Sequence, residues 1–274
     1  MWGNIIPWEI GSPNLTTFAV MERPNASPYT LCPLHLVVLD EVDSTNAWIR
    51  ARRHTLEGDT LVVARRQTAG LGQRGNVWVS LPSDLTMSIY LRHVRLPHLF
   101  ALSQLVSVAL VQWLQAHGVE AQIKWPNDIF VRRRKIAGIL IETFLSAPHT
   151  AAAIVGIGLN MAPRAPHQLS YHYPATTMAL ETSQPPQPVG CALNIARWLQ
   201  ALMVRQQLPA HPRIQHLYQQ RLFGRGEQLR FRDAHGTGLG TISHVLDDGR
   251  LCIIDSHGTP RLYAFKEVEL LLAP

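Results

Sequence analysis

The amino-acid sequence predicts an α+β fold, in which a domain of mixed helices and strands precedes a small domain made of strands alone. The 274 residues are 46% hydrophobic and 16% charged, which excludes a disordered chain and supplies a sizeable core. Strand-like and helix-like segments succeed one another over residues 35–222, whereas residues 223–274 show short alternating runs separated by glycine and aspartate turns. Residues 1–34 contain five scattered prolines and are expected to form an irregular extension outside the fold.

The first half of the mixed domain is predicted to consist of strands around one short helix. Residues 35–42 are strand-like, and Ser44 is a good N-cap for a helix that follows at once. Further β-rich runs lie at residues 60–66, 77–80 and 86–91.

A long helix is predicted next, because apolar residues recur at i, i+3 and i+4 between Leu102 and Trp113. Pro97 lies near its first turn and Gly118 just past its end. The later segments of the mixed domain are predicted as strands at residues 121–125, 129–131, 136–144 and 151–159, a surface loop at 162–188, and helices at about 189–207 and 211–222. The turn Arg132–Arg134 joins the second and third of these strands as a hairpin.

Basic residues exceed acidic ones, with 25 Lys and Arg against 19 Asp and Glu, a net charge of +6. Twenty-two of the basic residues are arginine, and the three lysines are Lys124, Lys135 and Lys266. Codon bias is the simpler interpretation of the skew, but arginine and lysine differ in chemistry, so each lysine is also a candidate for a specific role.

The cysteines and the absence of targeting patterns suggest a soluble cytoplasmic protein. Cys32, Cys191 and Cys252 are too few and too widely spaced for a disulfide framework or a metal site, which suggests a reducing compartment. The N-terminus lacks a basic segment followed by an apolar one, and no uncharged stretch of 18 apolar residues occurs.

The segment Gly70–Gly75 has the spacing G-x-G-x-x-G. A dinucleotide-binding fingerprint requires a helix at the third glycine and an acidic residue about 20 positions later. Here residues 76–80 alternate as a strand, Pro82 ends them, and Asp84 comes far too early. The remaining interpretations are a plain glycine turn and a loop whose backbone N–H groups converge on an anion.

Three further runs place polar or charged residues at strand ends: Lys124–Asp128, Lys135–Glu142 and Gly156–Asn160. Each run alone is more typical of a turn or an edge strand than of a site. Together with Asp43–Asn46 and Gln67–Trp78, and in this order, they make the chain resemble the biotin–protein ligase family. The resemblance covers roughly residues 35–272. It implies a mixed-sheet catalytic domain like that of biotin and lipoate ligases, at residues 35–222, and a small SH3-like β-barrel at 223–274.

The resemblance also implies the reaction. Such ligases join biotin to Mg²⁺-bound ATP, which gives biotinyl-5′-AMP and pyrophosphate. A lysine of the biotin carboxyl carrier domain of a carboxylase then attacks the adenylate and releases AMP. The carrier domain, biotin and ATP are the expected partners, with neither DNA nor membrane and with a homodimer left open.

The resemblance assigns roles residue by residue, with Lys124 as the catalytic residue. Asn46 has a second interpretation, as a residue that fixes the helix start, and Lys135 as one that closes an arginine-rich turn. The residues implied for biotin are Ser44, Thr45, Asn46, Gln67, Gly70, Leu71, Gly72, Lys124, Gly156 and Gly158. Those implied for ATP and the adenylate are Gly72, Gln73, Arg74, Gly75, Asn76, Trp78, Asn127, Lys135 and Asn160.

The glycine loop departs from the family pattern, which is commonly Gly-Arg-Gly-Arg-x-Gly. Leu71 and Gln73 stand in place of both arginines. Either Arg74 substitutes for the missing charge, or biotinyl-5′-AMP leaves this protein faster than it leaves a relative with both arginines.

The sequence favours this function over three others. A lipoate or octanoyl ligase shares the fold, but the Ser-Thr-Asn and Lys-Trp-Pro-Asn-Asp blocks favour biotin. A biotin-responsive repressor needs an N-terminal helix-turn-helix domain, for which residues 1–34 are too short and irregular. A silent binding module is disfavoured by the intact block around Lys124.

Overall fold

The structure is a computed structural model, and it describes residues 6–8, 15–19, 34–95, 100–147, 150–162, 173–183, 187–206 and 212–272. Two sheets organise the chain, and the helices pack against the larger one.

The larger sheet has nine strands in the described residues: β1 (Ile6–Trp8), β2 (Leu15–Ala19), β3 (Leu34–Val42), β4 (Asp59–Gln67), β5 (Leu85–Arg95), β6 (Gln122–Lys124), β7 (Asp128–Val131), β8 (Arg134–Ala147) and β9 (Thr150–Leu159). Their order across the sheet is β1-β2-β3-β4-β5-β9-β8-β7-β6. Only β3 and β4 run parallel, and every other neighbouring pair is antiparallel. The mixed sheet that the sequence predicts is therefore confirmed.

The N-terminal segment differs from the expected irregular extension. Strand β2 pairs with β3 and β1 pairs with β2, so these two segments lengthen the sheet at its β3 edge. The run Leu15–Ala19 is rich in β-formers and pairs along the edge of β3 that β4 does not occupy, which explains why it forms a strand despite the prolines around it. The rest of residues 1–33 lie outside the described residues.

Five helices are described: α1 (Thr45–Arg52), α2 (Phe100–Ala116), α3 (Met178–Glu181), α4 (Pro188–Gln206) and α5 (Pro212–Gln220). The Ser44 hydroxyl caps α1 by accepting from the backbone N–H of Ala47 at 3.5 Å. Gly118 follows α2 with a left-handed φ of 77°, as its position at the helix end predicts. Pro97 lies outside the described residues.

The core lies on both faces of the larger sheet. Leu61 and Val63 of β4 pack in the cluster that contains α2 and α4, whereas Val62 and Ala64 pack with Ile49 of α1 on the opposite face. Because side chains of a strand alternate between faces, one strand contributes to both layers. The sheet thus has helices on both faces, and the N-terminus of α1 lies on one of them.

The second sheet is antiparallel and has five strands in the order β13-β12-β11-β10-β14. Its strands are β10 (Gln228–Asp233), β11 (Gly236–Val245), β12 (Leu251–Asp255), β13 (Pro260–Tyr263) and β14 (Glu269–Leu271). This arrangement agrees with the small C-terminal β-domain expected at residues 223–274.

The second sheet lies against the β6–β7 end of the larger one. The backbone N–H of Phe223 donates to Ile123 O at 2.8 Å, and the Trp125 indole N–H donates to Gly249 O at 2.8 Å. Within the described ranges, no helix is long and apolar enough to cross a membrane.

Candidate active site

A cavity of about 700 Å³ opens where the two sheets meet. Residues from all five blocks predicted from the sequence line it. The predicted residues in its wall are Ser44, Thr45, Asn46, Gln67, Leu71, Gly72, Gln73, Asn76, Trp78, Lys124, Asn127, Lys135, Gly156 and Gly158. Residues that are about 110 positions apart in the chain thus share one cavity.

One end of the cavity consists of neutral polar groups at the N-terminus of α1. The backbone N–H of Thr45 donates to Gln67 Oε1 at 2.8 Å, and the Thr45 hydroxyl lies 3.1 Å from the same oxygen. Since Oε1 is held by Thr45, the amide nitrogen of Gln67 is left as a donor toward the cavity. Ser44 and Thr45 are both buried, at 3% exposure.

Asn46 is held in place by side chains behind the cavity wall. Its amide Nδ2 donates to Glu142 Oε1 at 2.9 Å, and the Ser88 hydroxyl donates to its Oδ1 at 2.6 Å. A Cβ on Gly156 would collide with the Asn46 side chain, so this strand position admits only glycine. The sequence did not indicate Ser88, and it placed Glu142 at the end of one of the runs without indicating a role for it.

The glycine loop is a short irregular hairpin over one side of the cavity. The backbone N–H of Gly72 donates to Asn76 O at 2.7 Å, and that of Trp78 donates to Gly70 O at 2.9 Å. Among the described residues, the expected strand at residues 77–80 appears as a single bridge between Leu71 and Val77. Gly70 and Gly75 belong to this hairpin but not to the cavity lining, and the Arg74 side chain lies outside the described residues.

The Trp78 indole forms part of the wall and rests on the strand that carries Gly158. A Cβ at Gly158 would collide with the indole, and one at Gly138 would lie 3.1 Å from it. These two glycines therefore allow a buried tryptophan, 9% exposed, to lie flat against the sheet.

Lys124, at the end of β6, is a buried cation at 8% exposure. Its Nζ lies 4.4 Å from the centre of the Tyr173 ring, a cation–π contact. Burial lowers the pKa of Lys124 below that of an ordinary lysine, while the neighbouring carboxylate of Asp128 acts in the opposite direction. An anionic ligand group bound here would interact with an ammonium group that is largely shielded from water.

Lys135 at the start of β8 faces the same space. It forms an ion pair with Asp128 at 2.7 Å, and its Nζ lies 5.5 Å from the centre of the Trp78 ring. Lys135 is thus held at the cavity wall and does more than close the arginine turn.

The third lysine also lines the cavity, although sequence reasoning gave it no role. Lys266 lies in the turn between β13 and β14 with a left-handed φ of 73°, and Phe265, Val268 and Glu269 of the same segment line the cavity beside it. Lysine rarity was the signal that could have identified Lys266, but nothing local indicates that this turn reaches the larger domain.

Two predicted asparagines mainly hold the wall together. Asn127 lines the cavity, and its amide donates to Ile139 O at 2.8 Å. Asn160 is buried behind the lining at 1% exposure, where its amide donates to Thr176 O at 3.1 Å. Asn160 therefore contributes to packing behind the cavity, at the point where β9 ends.

The cavity as a whole has a neutral hydrogen-bonding end and a cationic end. The cationic end holds Lys124, Lys135 and Lys266 against the carboxylates of Asp128 and Glu269. In the described part of the chain, no group of three or more His, Cys, Asp or Glu side chains is placed to hold a metal ion. The arrangement suits a ligand that is neutral and polar at one end and anionic at the other.

Comparison with known proteins identifies relatives. A family model described as the Biotin/lipoate A/B protein ligase family matches residues 38–160. The bifunctional ligase/repressor BirA of Bacillus spizizenii is 30% identical over 247 residues, which cover 86% of this chain and 74% of the relative. The biotin–[acetyl-CoA-carboxylase] ligase of Mycobacterium tuberculosis is 31% identical over 232 residues, which cover 80% of this chain and 82% of the relative.

A solved structure shows the same fold. The biotin protein ligase from Aquifex aeolicus, in complex with biotin and ATP, has a TM-score of 0.70 at 22% identity, and the match covers 87% of this chain and 99% of that chain. Identity of 30% over most of both chains shows that this chain belongs to the biotin–protein ligase family, and the family model matches the segment that holds all five predicted blocks.

Proposed function

We propose that this protein activates biotin with Mg-ATP to form biotinyl-5′-AMP and then transfers the biotinyl group to a lysine of a biotin carboxyl carrier domain. The observation that carries the proposal is the single cavity with Thr45 and Gln67 at its neutral end and Lys124 at its cationic end. Family membership supports it independently.

The neutral end suits the ureido ring of biotin. That ring presents one carbonyl acceptor and two N–H donors. The free amide nitrogen of Gln67 can donate to the carbonyl, and the hydroxyls of Ser44 and Thr45 can accept from the N–H groups. The wall formed by Trp78 and the strand glycines suits the apolar bicycle and the valeryl chain.

The cationic end suits the biotin carboxylate and the phosphates of ATP. Adenylation brings these anions together, and the developing negative charge must be balanced. Two unit charges 4 Å apart interact by about 4 kcal/mol at an effective dielectric of about 20, so a buried cation at Lys124 changes the rate strongly. Lys135 and Lys266 are proposed to contact the phosphates from opposite walls.

The glycine hairpin is proposed to cover the adenylate while the carrier lysine approaches. A mixed anhydride is hydrolysed by water, and a loop over the cavity lowers water access. The reaction needs ATP and a carboxylase partner, and we therefore assign it to the cytoplasm.

Mixing the protein with biotin, Mg-ATP and a biotin carboxyl carrier domain tests the proposal. We expect the carrier domain to gain one biotinyl group by mass spectrometry, with pyrophosphate and AMP as products. Reactions without ATP, and reactions with lipoate or octanoate in place of biotin, serve as controls. Modification by lipoate or octanoate but not by biotin would refute the assignment.

A further inference from the structure

Behind the neutral end of the cavity, a row of hydrogen bonds connects Thr45 to the protein surface. Ser88 on β5 is fully buried, and its Oγ lies 2.6 Å from both Thr45 Oγ1 and Asn46 Oδ1. Asn46 Nδ2 lies 2.9 Å from Glu142 Oε1, and Arg50 binds the same carboxylate through two nitrogens at 2.8 and 2.9 Å. We call this row, Thr45–Ser88–Asn46–Glu142–Arg50, the relay.

The chemistry of its members fixes the direction of every proton in this row. An ionised carboxylate only accepts, so Asn46 must donate to Glu142 through Nδ2, which turns its Oδ1 toward Ser88. Since Oδ1 cannot donate, the Ser88 proton points to Asn46. Ser88 has no second proton, so the short contact with Thr45 requires the Thr45 hydroxyl to donate to Ser88.

The ionised state of Glu142 supports this direction. Burial alone raises the pKa of the Glu142 carboxyl, but the hydrogen bonds from Arg50 and Asn46 and the charge of Arg50 outweigh it and hold the pKa below its usual value. Gly156 supports the row sterically, because any side chain there would displace Asn46.

We infer that Ser88, Asn46 and Glu142 are positioning residues that hold the Thr45 hydroxyl as an acceptor toward a ring N–H of biotin. With its proton committed to Ser88, Thr45 Oγ1 presents only lone pairs to the cavity. Without Ser88, the proton turns toward Gln67 Oε1, 3.1 Å away, or into the cavity, where it meets an N–H donor. This inference rests on the proposed function and names the residues that set recognition of the ureido group.

Ser88→Ala in the full chain tests the relay. We expect the Kd for biotin, measured by calorimetry, to rise about tenfold, the effect of one mis-oriented buried hydrogen bond. The KM for ATP in pyrophosphate release should stay within about twofold, because the change acts on one end of the cavity.

Glu142→Ala is the second variant, since it tests the relay from its partly exposed outer end. Glu142 does not line the cavity, yet its removal frees the Asn46 amide to turn, and we expect a rise of about threefold in the biotin Kd. Ser107→Ala is the matched control, because Ser107 is a fully buried serine of α2 whose hydroxyl has no hydrogen-bond partner among the described residues.

The outcomes separate the relay from the proposed function. Wild-type biotin affinity in both Ser88→Ala and Glu142→Ala would overturn the relay. An equal rise of the biotin Kd in Ser107→Ala, or an equal rise of the KM for ATP in Ser88→Ala, would overturn it as well. Absence of biotin binding in the unsubstituted protein would instead contradict the proposed function.

Discussion

At the residue scale, burial of Lys124 lowers its pKa and so determines the pH range in which it carries a charge. Its low exposure and its lowered pKa mean that the ammonium loses its proton at lower pH than an ordinary lysine, whose pKa is about 10.4. Between the folded-state pKa and that ordinary value, the unfolded chain binds more protons. The free energy of unfolding contributed by Lys124 therefore rises with pH through this window.

We expect kcat/KM for adenylate formation to fall on the alkaline side below the ordinary lysine pKa of about 10.4, because the neutral amine cannot balance the phosphate charge. A pH profile of kcat/KM for pyrophosphate release checks this, because kcat/KM reports the ionisation of the protein before substrate binds. An alkaline limb at or above the ordinary lysine pKa would show that Lys124 is not the titrating group.

Lys266 gives a second prediction at this scale. Lys266→Ala should raise the KM for ATP by about three- to tenfold, as expected for loss of one partly screened charge contact, and leave the biotin Kd unchanged. The matched control is Arg65→Ala, an exposed cation paired with Asp40 outside the cavity. Equal KM values in both variants would remove Lys266 from the phosphate site.

Some residues of the candidate site could be predicted from the sequence and others could not. The blocks around Ser44, Gln67 and Lys124 were recognisable because each is a local pattern with polar groups at a strand end. Ser88 lies inside a strand and carries no local signal, since its role comes from Asn46 and Glu142 on other elements. Lys266 required knowledge of how the second sheet packs.

The glycine hairpin is the element that we propose retains the intermediate. Gln73 lines the cavity, and its buried Oε1 has no hydrogen-bond partner among the described residues. It stands where the family pattern commonly has arginine, so this position supplies polarity without charge.

Gln73→Arg should slow the escape of biotinyl-5′-AMP several-fold, because the new charge can pair with the phosphate. To measure the off-rate, the protein with preformed adenylate is diluted into a large excess of buffer without carrier domain, and the released adenylate is followed by chromatography. Gln73→Met is the control for side-chain volume. An off-rate that does not change in Gln73→Arg would mean that charge at this position does not retain the adenylate.

Elements were predicted well where their pattern is periodic. The helices α2 and α4 and the strands β3, β4 and β9 follow the expected ranges within a few residues. Residues 77–80 alternate like a strand, but a strand also needs a paired neighbour, and among the described residues the bridge that this run forms joins Val77 to Leu71. The short strands β1, β2 and β14 exist because longer strands offer them open edges, which no local pattern records.

At the scale of the whole molecule, the cavity is shared between the two sheets. Residues 265–270 complete a wall that otherwise belongs to the larger domain, and Trp125 joins the two parts through Gly249. Ligand binding should therefore stabilise both parts together.

We expect biotin with Mg-ATP to raise Tm, and we expect the protein to unfold in one cooperative transition. A ligand at about 100 times its Kd adds about 2.7 kcal/mol, which corresponds to roughly 5–10 °C for a chain of this size. Differential scanning calorimetry measures the shift. Two separate transitions, of which only one moves, would contradict a shared cavity.

The most direct test of the account is transfer of biotin to a carrier domain by the wild-type protein and by Lys124→Met. The substitution keeps the buried stem and removes the charge, so we expect Tm to be at least as high as in the wild type. We predict that the wild type biotinylates the carrier in the presence of Mg-ATP and that Lys124→Met loses at least about a hundredfold in rate. An equal rate in the folded Lys124→Met variant would contradict the account.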